Sequence, residues 1–224
     1  MNNLTLVIPA KYEELSLPKV LQELRKYKCK KVVVLDRGDQ KTIKSISNFN
    51  CKIIRQKTKG YGAALIEGIH SIKTKYFCIF NADGSFDPKS LSKMYNSLIN
   101  KNYDFVFASR YIDQGGSEDD TILTYIGNKI FTFFGNLLFN LQISDILFTY
   151  ILGNKNKFAK LNLKSKDFRL CVEIPLKIKR KKFRYECLPS LERSRIAGKK
   201  KVNEFVDGFL ILSYMINFFF KIDD

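Results

Sequence analysis

Tyr76-Phe77-Cys78-Ile79-Phe80 runs straight into Asn81-Ala82-Asp83-Gly84-Ser85-Phe86-Asp87-Pro88, and the reading of this junction decides the fold class. A short aromatic and β-branched run bounded by Asn, Asp, Gly and Pro reads as a buried strand ending in a tight, acidic turn. In open α/β sheets ligands sit beyond the carboxyl ends of the strands, so this turn is a candidate for chemistry. Asp83 and Asp87 are hard oxygen donors, suited to a divalent cation that shares its coordination sphere with substrate phosphates. The same residues also read as a solvated strand-to-helix connection in which Asp87 caps the helix ahead of Pro88.

The flanking chain repeats the pattern. Apolar runs at Leu4 to Pro9, Lys31 to Asp36, Cys51 to Arg55 and Phe105 to Ser109 read as further strands. Helical patterns at Glu14 to Tyr27, Lys41 to Phe49, Tyr61 to Lys73 and Pro88 to Lys101 separate them, the first with Leu17, Val20, Leu21 and Leu24 at helical spacing. Strands alternating with such helices give βαβ units, hence an α/β fold with a mostly parallel sheet and helices on both faces. After Tyr111 a polar loop, Asp113 to Asp120, leads into an aromatic-rich helix around residues 122–143. Residues 165–202 read as short strands mixed with basic runs, and residues 203–224 as an apolar C-terminal helix. Residues 1–202 form one domain on this reading, with its parts 1–111 and 112–202 divided after Tyr111.

A chain of 224 residues with 45% hydrophobic and 13% aromatic content has the material for a sizeable core. Its 39 Lys and Arg against 22 Asp and Glu leave a net charge of +17, which attracts polyanions: nucleic acid, nucleotide phosphates or an anionic lipid surface. Five cysteines without CxxC spacing read as free thiols of a reducing compartment, and the lone His70 as an ordinary helix residue. Asn2 and Asn3 lead directly into a strand, so no signal peptide is expected. No apolar run reaches about 20 residues, so no transmembrane helix is expected either.

Polar clusters stand at five strand ends: Pro9 to Glu14, Asp36 to Asp39, Lys59 to Ala64, the Asp83 turn, and Ser109 to Tyr111. In a parallel sheet all five converge on one edge, which is a binding crevice. A carboxylate after the first or second strand is placed to accept hydrogen bonds from a ribose or a base. Lys59-Gly60-Tyr61-Gly62 satisfies neither GxGxxG nor GxxxxGKS, so its glycines read as a turn with close helix packing, while Lys59 points toward a phosphate.

In this order the clusters resemble the family 2 glycosyltransferases, in their polyprenyl-phosphate (dolichyl-phosphate mannosyltransferase-like) branch. VIPAKYEE is similar to that family's VIPAYNEE, VVVLDRGD to VVDDGS, KGYGAALIEGI to KGxGxAxxxGI, NADGSFDP to DADxxxxP, and ASRY to GSRY. Glu192 to Val202 resembles the ExRxxGxSKxxx tail element, so the likeness spans about residues 4–202. The resemblance implies a GT-A fold, Rossmann-like in its binding of a nucleoside-diphosphate sugar, with 1–111 as the nucleotide-binding part and 112–202 as the acceptor side, and an inverting transferase dependent on Mg²⁺ or Mn²⁺. It implies that Pro9 and Glu13 face the nucleoside, with Asp36 on the base and Ala82 in the donor site. Asp83 would ligate the metal, with Asn81 and Ser85 as neighbouring donors. Arg110, Arg195 and Lys201 would neutralise donor and acceptor phosphates. The chain departs from the pattern at Asn81, where the family has its first metal-motif aspartate, at Lys11-Tyr12, at Arg37 and at Lys200. It carries no QxxRW motif, which argues against a processive polysaccharide synthase.

The implied acceptor is a polyprenyl phosphate at the inner, cytoplasmic face of the cell membrane. Residues 122–143 and 205–220 adjoin basic stretches: the first fits contact with an anionic membrane surface or equally an ordinary core helix, the second peripheral contact or packing in a homo-oligomer. A phosphate acceptor is already anionic and needs little base catalysis. A glycan hydroxyl, the alternative acceptor in cell-envelope synthesis, requires a carboxylate base, for which Asp145 and Glu173 are the candidates. A nucleotidyltransferase would carry a glycine-rich basic loop where Ala10-Lys11-Tyr12-Glu13 stands. A nucleic-acid module would interleave exposed aromatics with its basic residues, whereas here the aromatics sit in apolar runs, and no nucleic acid partner is expected. Asn81 and Arg37 keep open an inactive homologue of the family.

Overall fold

The computed structural model describes residues 1–198 and 200–220. In chain order it comprises β1 (Leu4–Ala10), α1 (Leu17–Glu23), β2 (Lys30–Leu35), α2 (Gln40–Ser45), β3 (Lys52–Arg55), α3 (Tyr61–Ser71), β4 (Tyr76–Ile79), α4 (Lys89–Asn100) and β5 (Phe105–Ser109). There follow β6 (Gly116–Ser117), α5 (Ile122–Phe139), β7 (Ile151–Asn154), α6 (Lys155–Ala159), α7 (Leu170–Arg180), β8 (Tyr185–Pro189), β9 (Leu191–Glu192) and α8 (Glu204–Phe219). One sheet runs β3-β2-β1-β4-β7-β5-β8, and β6 pairs with β9 apart from it. All its pairings are parallel except those of β7, which lies antiparallel between β4 and β5 with Leu152 opposite Cys78 and Val106.

Strand alternation splits the core into two layers. Val7, Val32, Val34, Phe77, Ile79, Phe105 and Phe107 face one cluster, covered by α3, α7 and α8. Leu6, Ile8, Val33, Leu35, Cys78, Val106 and Ala108 face the other, covered by α1 and α4. Strands buried on both faces must be apolar throughout, which is why they read so clearly in the sequence. Burying each such side chain contributes about 1.5–3 kcal/mol. Gly68 lets α3 approach this closely, since a Cβ there would lie 2.5 Å from Val7 Cγ1 and 2.7 Å from Val34 Cγ2.

Three features differ from the sequence reading. The Glu14 to Tyr27 and Lys41 to Phe49 patterns hold only short α-helices, α1 and α2. Residues 170–180, expected among short strands, form α7. Its Leu170, Ile174 and Ile178 lie buried at i, i+4 spacing, and Pro175 inside it obscured the helical pattern. The 122–143 helix stops at Phe139, where Asn140 takes a left-handed conformation, φ 50°.

As one continuous helix α5 is, by length and composition alone, long and apolar enough to cross a membrane, though no membrane-spanning run was expected. It is inside out. Asn128, Thr132 and Gly135 face the protein, while Ile122, Ile126, Ile130, Phe133 and Leu137 are exposed. Beside it α8 buries Ile211, Tyr214, Met215 and Phe218 in the core and exposes Phe205, Phe209 and Phe219. Lys221 to Asp224 of the expected C-terminal helix, and Lys199 of the tail element, lie outside the described residues.

Candidate functional site

The carboxyl ends of β1, β2 and β4, the N-terminal end of the antiparallel β7, and α5 and α8 surround one cleft of about 1070 Å³. It is lined by Pro9, Glu13, Asp36, Lys59, Asn81, Ala82, Asp83, Ser85, Arg110, Arg195 and Lys201, whereas Asp87 and the candidate bases Asp145 and Glu173 do not line it.

At the end of β1 the chain turns sharply through Tyr12, whose φ of 56° is left-handed. The turn is pinned from α2: Tyr12 N donates to Asp39 Oδ2 at 2.6 Å and Glu13 N to Thr42 Oγ1 at 3.0 Å. Asp39 thereby serves as the N-cap of α2, also accepting from Thr42 N. Glu13 is buried, accepts from Ser16 Oγ at 2.5 Å, and pairs with the Lys201 ammonium. Asp36 accepts from Gly38 N at 3.3 Å and lies 3.8 Å from Lys11 Nζ. Arg37 Nε donates to Gln56 O at 3.1 Å, which ties the ends of β2 and β3 together.

The Asp83 turn rests on an aromatic block in which Phe86 stacks on Tyr150 at 4.6 Å and meets Phe80 edge-on at 5.9 Å. Asp83 Oδ1 accepts from Ser85 N at 3.0 Å and Ser85 Oγ at 2.7 Å, and Asn81 Nδ2 donates to Ser85 Oγ at 3.2 Å. Asp87 leaves the cleft and accepts from Lys89 N at 3.0 Å at the start of α4. That bond closes a turn ahead of α4, whose N-cap is Pro88 rather than Asp87, and of the two aspartates only Asp83 is a candidate metal donor. Gly84, at φ +87°, lies under Ile196, whose Cδ1 would be 2.5 Å from a Cβ there.

Residues 193–196 lace over this turn. Arg193 N donates to Ser85 O at 2.7 Å, and Ile196 N to Asp83 O at 2.8 Å. The Arg193 guanidinium donates to Gly84 O and Phe86 O and grips Glu23 with both terminal nitrogens. Arg195 pairs with Asp119, and that hydrogen bond, outweighing partial burial, holds its guanidinium more firmly protonated than usual.

Arg110 is placed differently from its expected role. Its guanidinium is buried, bonded to Asp145 through Nε at 2.7 Å and Nη2 at 2.9 Å. Nη1 meets Glu192 at 3.0 Å and Asp120 at 3.5 Å. Burial opposes the charge, but the hydrogen bonds and charge of Asp145, with Glu192, more than offset it. With three carboxylates around it, Arg110 is not free to neutralise a phosphate; it holds an acidic wall together. Within that wall desolvation pushes the Glu192 carboxyl up, against the pull of Arg110. Tyr111 Oη donates to Asp120 Oδ2 at 2.7 Å and accepts from Asn128 Nδ2 at 2.9 Å, which ties α5 to the same network.

The two candidate bases are likewise committed. Asp145 is consumed by Arg110, and Glu173 accepts from Lys164 N and Ser165 N at 2.8 Å and pairs with Lys177. Burial raises the Glu173 carboxyl, yet these donors outweigh it and hold it below the usual value. Gly60 and Gly62 have the packing role read from the sequence: a Cβ on either would lie within 2.5 Å of the Lys166 or Ser165 carbonyl oxygen. Lys59 stays exposed on the cleft. Asp119, Asp120, Asn128 and Thr149 also line it and were not singled out. The signal for the first two was their place in a loop read only as polar.

Among the described residues no group of three or more His, Cys, Asp or Glu side chains has the arrangement to hold a metal ion. The Asp83 turn fits a cation that takes most of its donors from bound phosphates, because among the described residues only one Asp83 carboxylate oxygen is hydrogen-bonded and Asn81 and Ser85 add neutral oxygens.

Comparisons with known proteins agree with this architecture. A family model described as glycosyl transferase family 2 matches residues 5–161. An uncharacterized protein of Methanocaldococcus jannaschii is 28% identical over 144 residues, 62% of this chain, and the match spans 59% of that protein's own length. The UDP-N-acetylglucosamine--dolichyl-phosphate N-acetylglucosaminyltransferase of Methanococcus voltae is 23% identical over 201 residues, covering 79% of this chain and 80% of the relative. Among solved structures, glucosyl-3-phosphoglycerate synthase of Mycobacterium tuberculosis, in complex with Mn²⁺, UDP and glucosyl-3-phosphoglycerate, superposes with a TM-score of 0.73. That match has 13% identity and covers 99% of this chain and 81% of the other, so the fold is shared.

Proposed function

The chain belongs to glycosyl transferase family 2, and from that premise we propose that it moves a sugar from a nucleoside-diphosphate sugar to the phosphate of a polyprenyl lipid, at the inner face of the cell membrane. The observation that carries this reading is the composition of the cleft. Its strand-end edge is polar, with Glu13, Asp36, Asp83 and Lys59, and its far wall is apolar, with Leu123, Phe131, Phe205 and Phe209 from α5 and α8. The outward apolar face of α5 supports contact with a lipid surface. The Methanococcus voltae relative, a dolichyl-phosphate N-acetylglucosaminyltransferase, supports the acceptor class.

In this reading Glu13 and Asp36 orient the nucleoside. Asp83, with Ser85 and the Asn81 amide oxygen, would hold Mg²⁺ or Mn²⁺, which when bound offsets charge developing on the departing diphosphate. The Mn²⁺- and UDP-bound structural relative supports that assignment. Arg195, Lys201 and Lys59 add positive charge for donor and acceptor phosphates. Arg110 keeps the acidic wall in place and touches neither substrate. An acceptor phosphate is already nucleophilic, which suits a cleft whose candidate bases Asp145 and Glu173 are both engaged.

The test begins with thermal shift across a panel of nucleotide sugars, with and without Mn²⁺. Transfer is then measured from the most stabilising donor to polyprenyl phosphate in anionic vesicles and to soluble glycans. The reading expects metal-dependent stabilisation and product in the lipid fraction. Stabilisation by no nucleotide, or product only on glycans, would overturn it.

A further inference from the structure

A glycine inside a helix costs stability, so it needs a reason. Within α5 Gly135 has one: a Cβ there would sit 2.7 Å from Ile146 Cδ1. Gly127, two turns earlier, has none, because a Cβ there would meet nothing within 4 Å. Gly208 of α8 is similar, its nearest neighbour being Phe131 Cζ at 3.9 Å. Both glycines line the cleft. At their C-terminal ends α5 and α8 are closed by Phe139 against Phe218 and Phe219, at 5.8 Å between ring centroids. Toward their N-terminal ends both helices border the cleft, with Leu123, Phe131 and Phe209 alongside the two glycines.

We propose that the slot between the N-terminal halves of α5 and α8 seats the apolar tail of the lipid-phosphate acceptor, with Gly127 and Gly208 setting its width. The inference rests on the acceptor reading above and adds the subsite and its determinants. Continuity and charge specify the occupant. The slot is continuous with the cleft that holds the Asp83 turn, and Lys200 and Lys201, just ahead of α8, put two ammonium groups on that cleft. Each is now paired with a carboxylate, Lys200 with Glu204 at 2.8 Å and Lys201 with Glu13, and an arriving phosphate competes for them. An anionic head with an apolar tail matches both ends. A soluble glycan would leave the apolar end unfilled.

Substituting Gly127→Leu or Gly208→Leu puts a side chain into the slot at positions where its Cβ meets nothing closer than 3.9 Å, and replacing a helical glycine favours the fold. Both variants are therefore expected to melt no lower than the wild-type chain. Binding is measured by calorimetric titration with farnesyl phosphate, below its micellar concentration, and with methyl phosphate. The wild-type chain is expected to prefer farnesyl phosphate by at least about tenfold, the equivalent of roughly two buried methylenes. Each leucine variant, still folded, is expected to lose that preference. A preference unchanged in both variants would overturn the slot while leaving the acceptor reading intact. A wild-type chain with no preference for the tailed phosphate would overturn both.

Discussion

Arg110 and Arg195 stand on the same cleft, yet one is sealed into its wall and the other sits in the segment that crosses the Asp83 turn. The Arg110 side chain is 6% exposed and meets Asp145, itself 0% exposed, through two hydrogen bonds, with Glu192 and Asp120 completing the shell. Arg195 and Asp119, its one ion-pair partner among the described residues, are 22% and 23% exposed. Lys201 is more open still, at 42%, although its partner Glu13 is buried. A cation buried among carboxylates is part of the scaffold, since separating them would leave a charge uncompensated in low dielectric. A cation held by one half-exposed carboxylate can exchange that partner for a phosphate at little cost. Burial, rather than residue type, separates the two roles.

The sharpest way to break this comparison is Asp145→Ala. It strands the Arg110 guanidinium, and urea unfolding is expected to show a loss of about 3–5 kcal/mol. A loss near that of an exposed pair would put Arg110 back among the available cations. On the other side of the comparison, Arg195→Ala is expected to change stability by less than about 1 kcal/mol. Its turnover should fall by roughly a hundredfold, as for removal of one group that stabilises developing charge. Lys201→Ala is the smallest effect. One charge-assisted contact is worth about 1.5 kcal/mol, so half-saturating substrate should rise roughly tenfold. Loss of folding in either variant would show that the tail is scaffold as well.

Much of this was legible in the chain because it is local. Strands buried on both faces are continuous apolar runs, and the Asn81 to Pro88 turn is built from residues whose backbone preferences announce a turn. The carboxylates that claim Arg110 were not legible. They lie 10, 35 and 82 residues away along the chain and meet it only through the sheet. The placement of β7 was hidden for the same reason, since a four-residue run such as Ile151–Asn154 finds its neighbours β4 and β5 by long-range pairing. Inward Asn128 and Thr132 reverse the usual polarity of α5, so composition alone left a surface helix and an ordinary core helix equally open. The residues of the Asp83 turn could be read one by one, whereas the division of labour among the cations required the folded arrangement.

The most direct test of the central claim compares nucleoside-diphosphate release by the wild-type chain and Asp83→Ala, with Mn²⁺ titrated in both. Among the described residues the Asp83 side chain accepts only from Ser85, and Ile196 N bonds to its backbone oxygen, so the variant keeps the segment that crosses the turn. The account predicts an unchanged melting curve, release at background, and no response to Mn²⁺. Wild-type-like, Mn²⁺-responsive release by Asp83→Ala would contradict it.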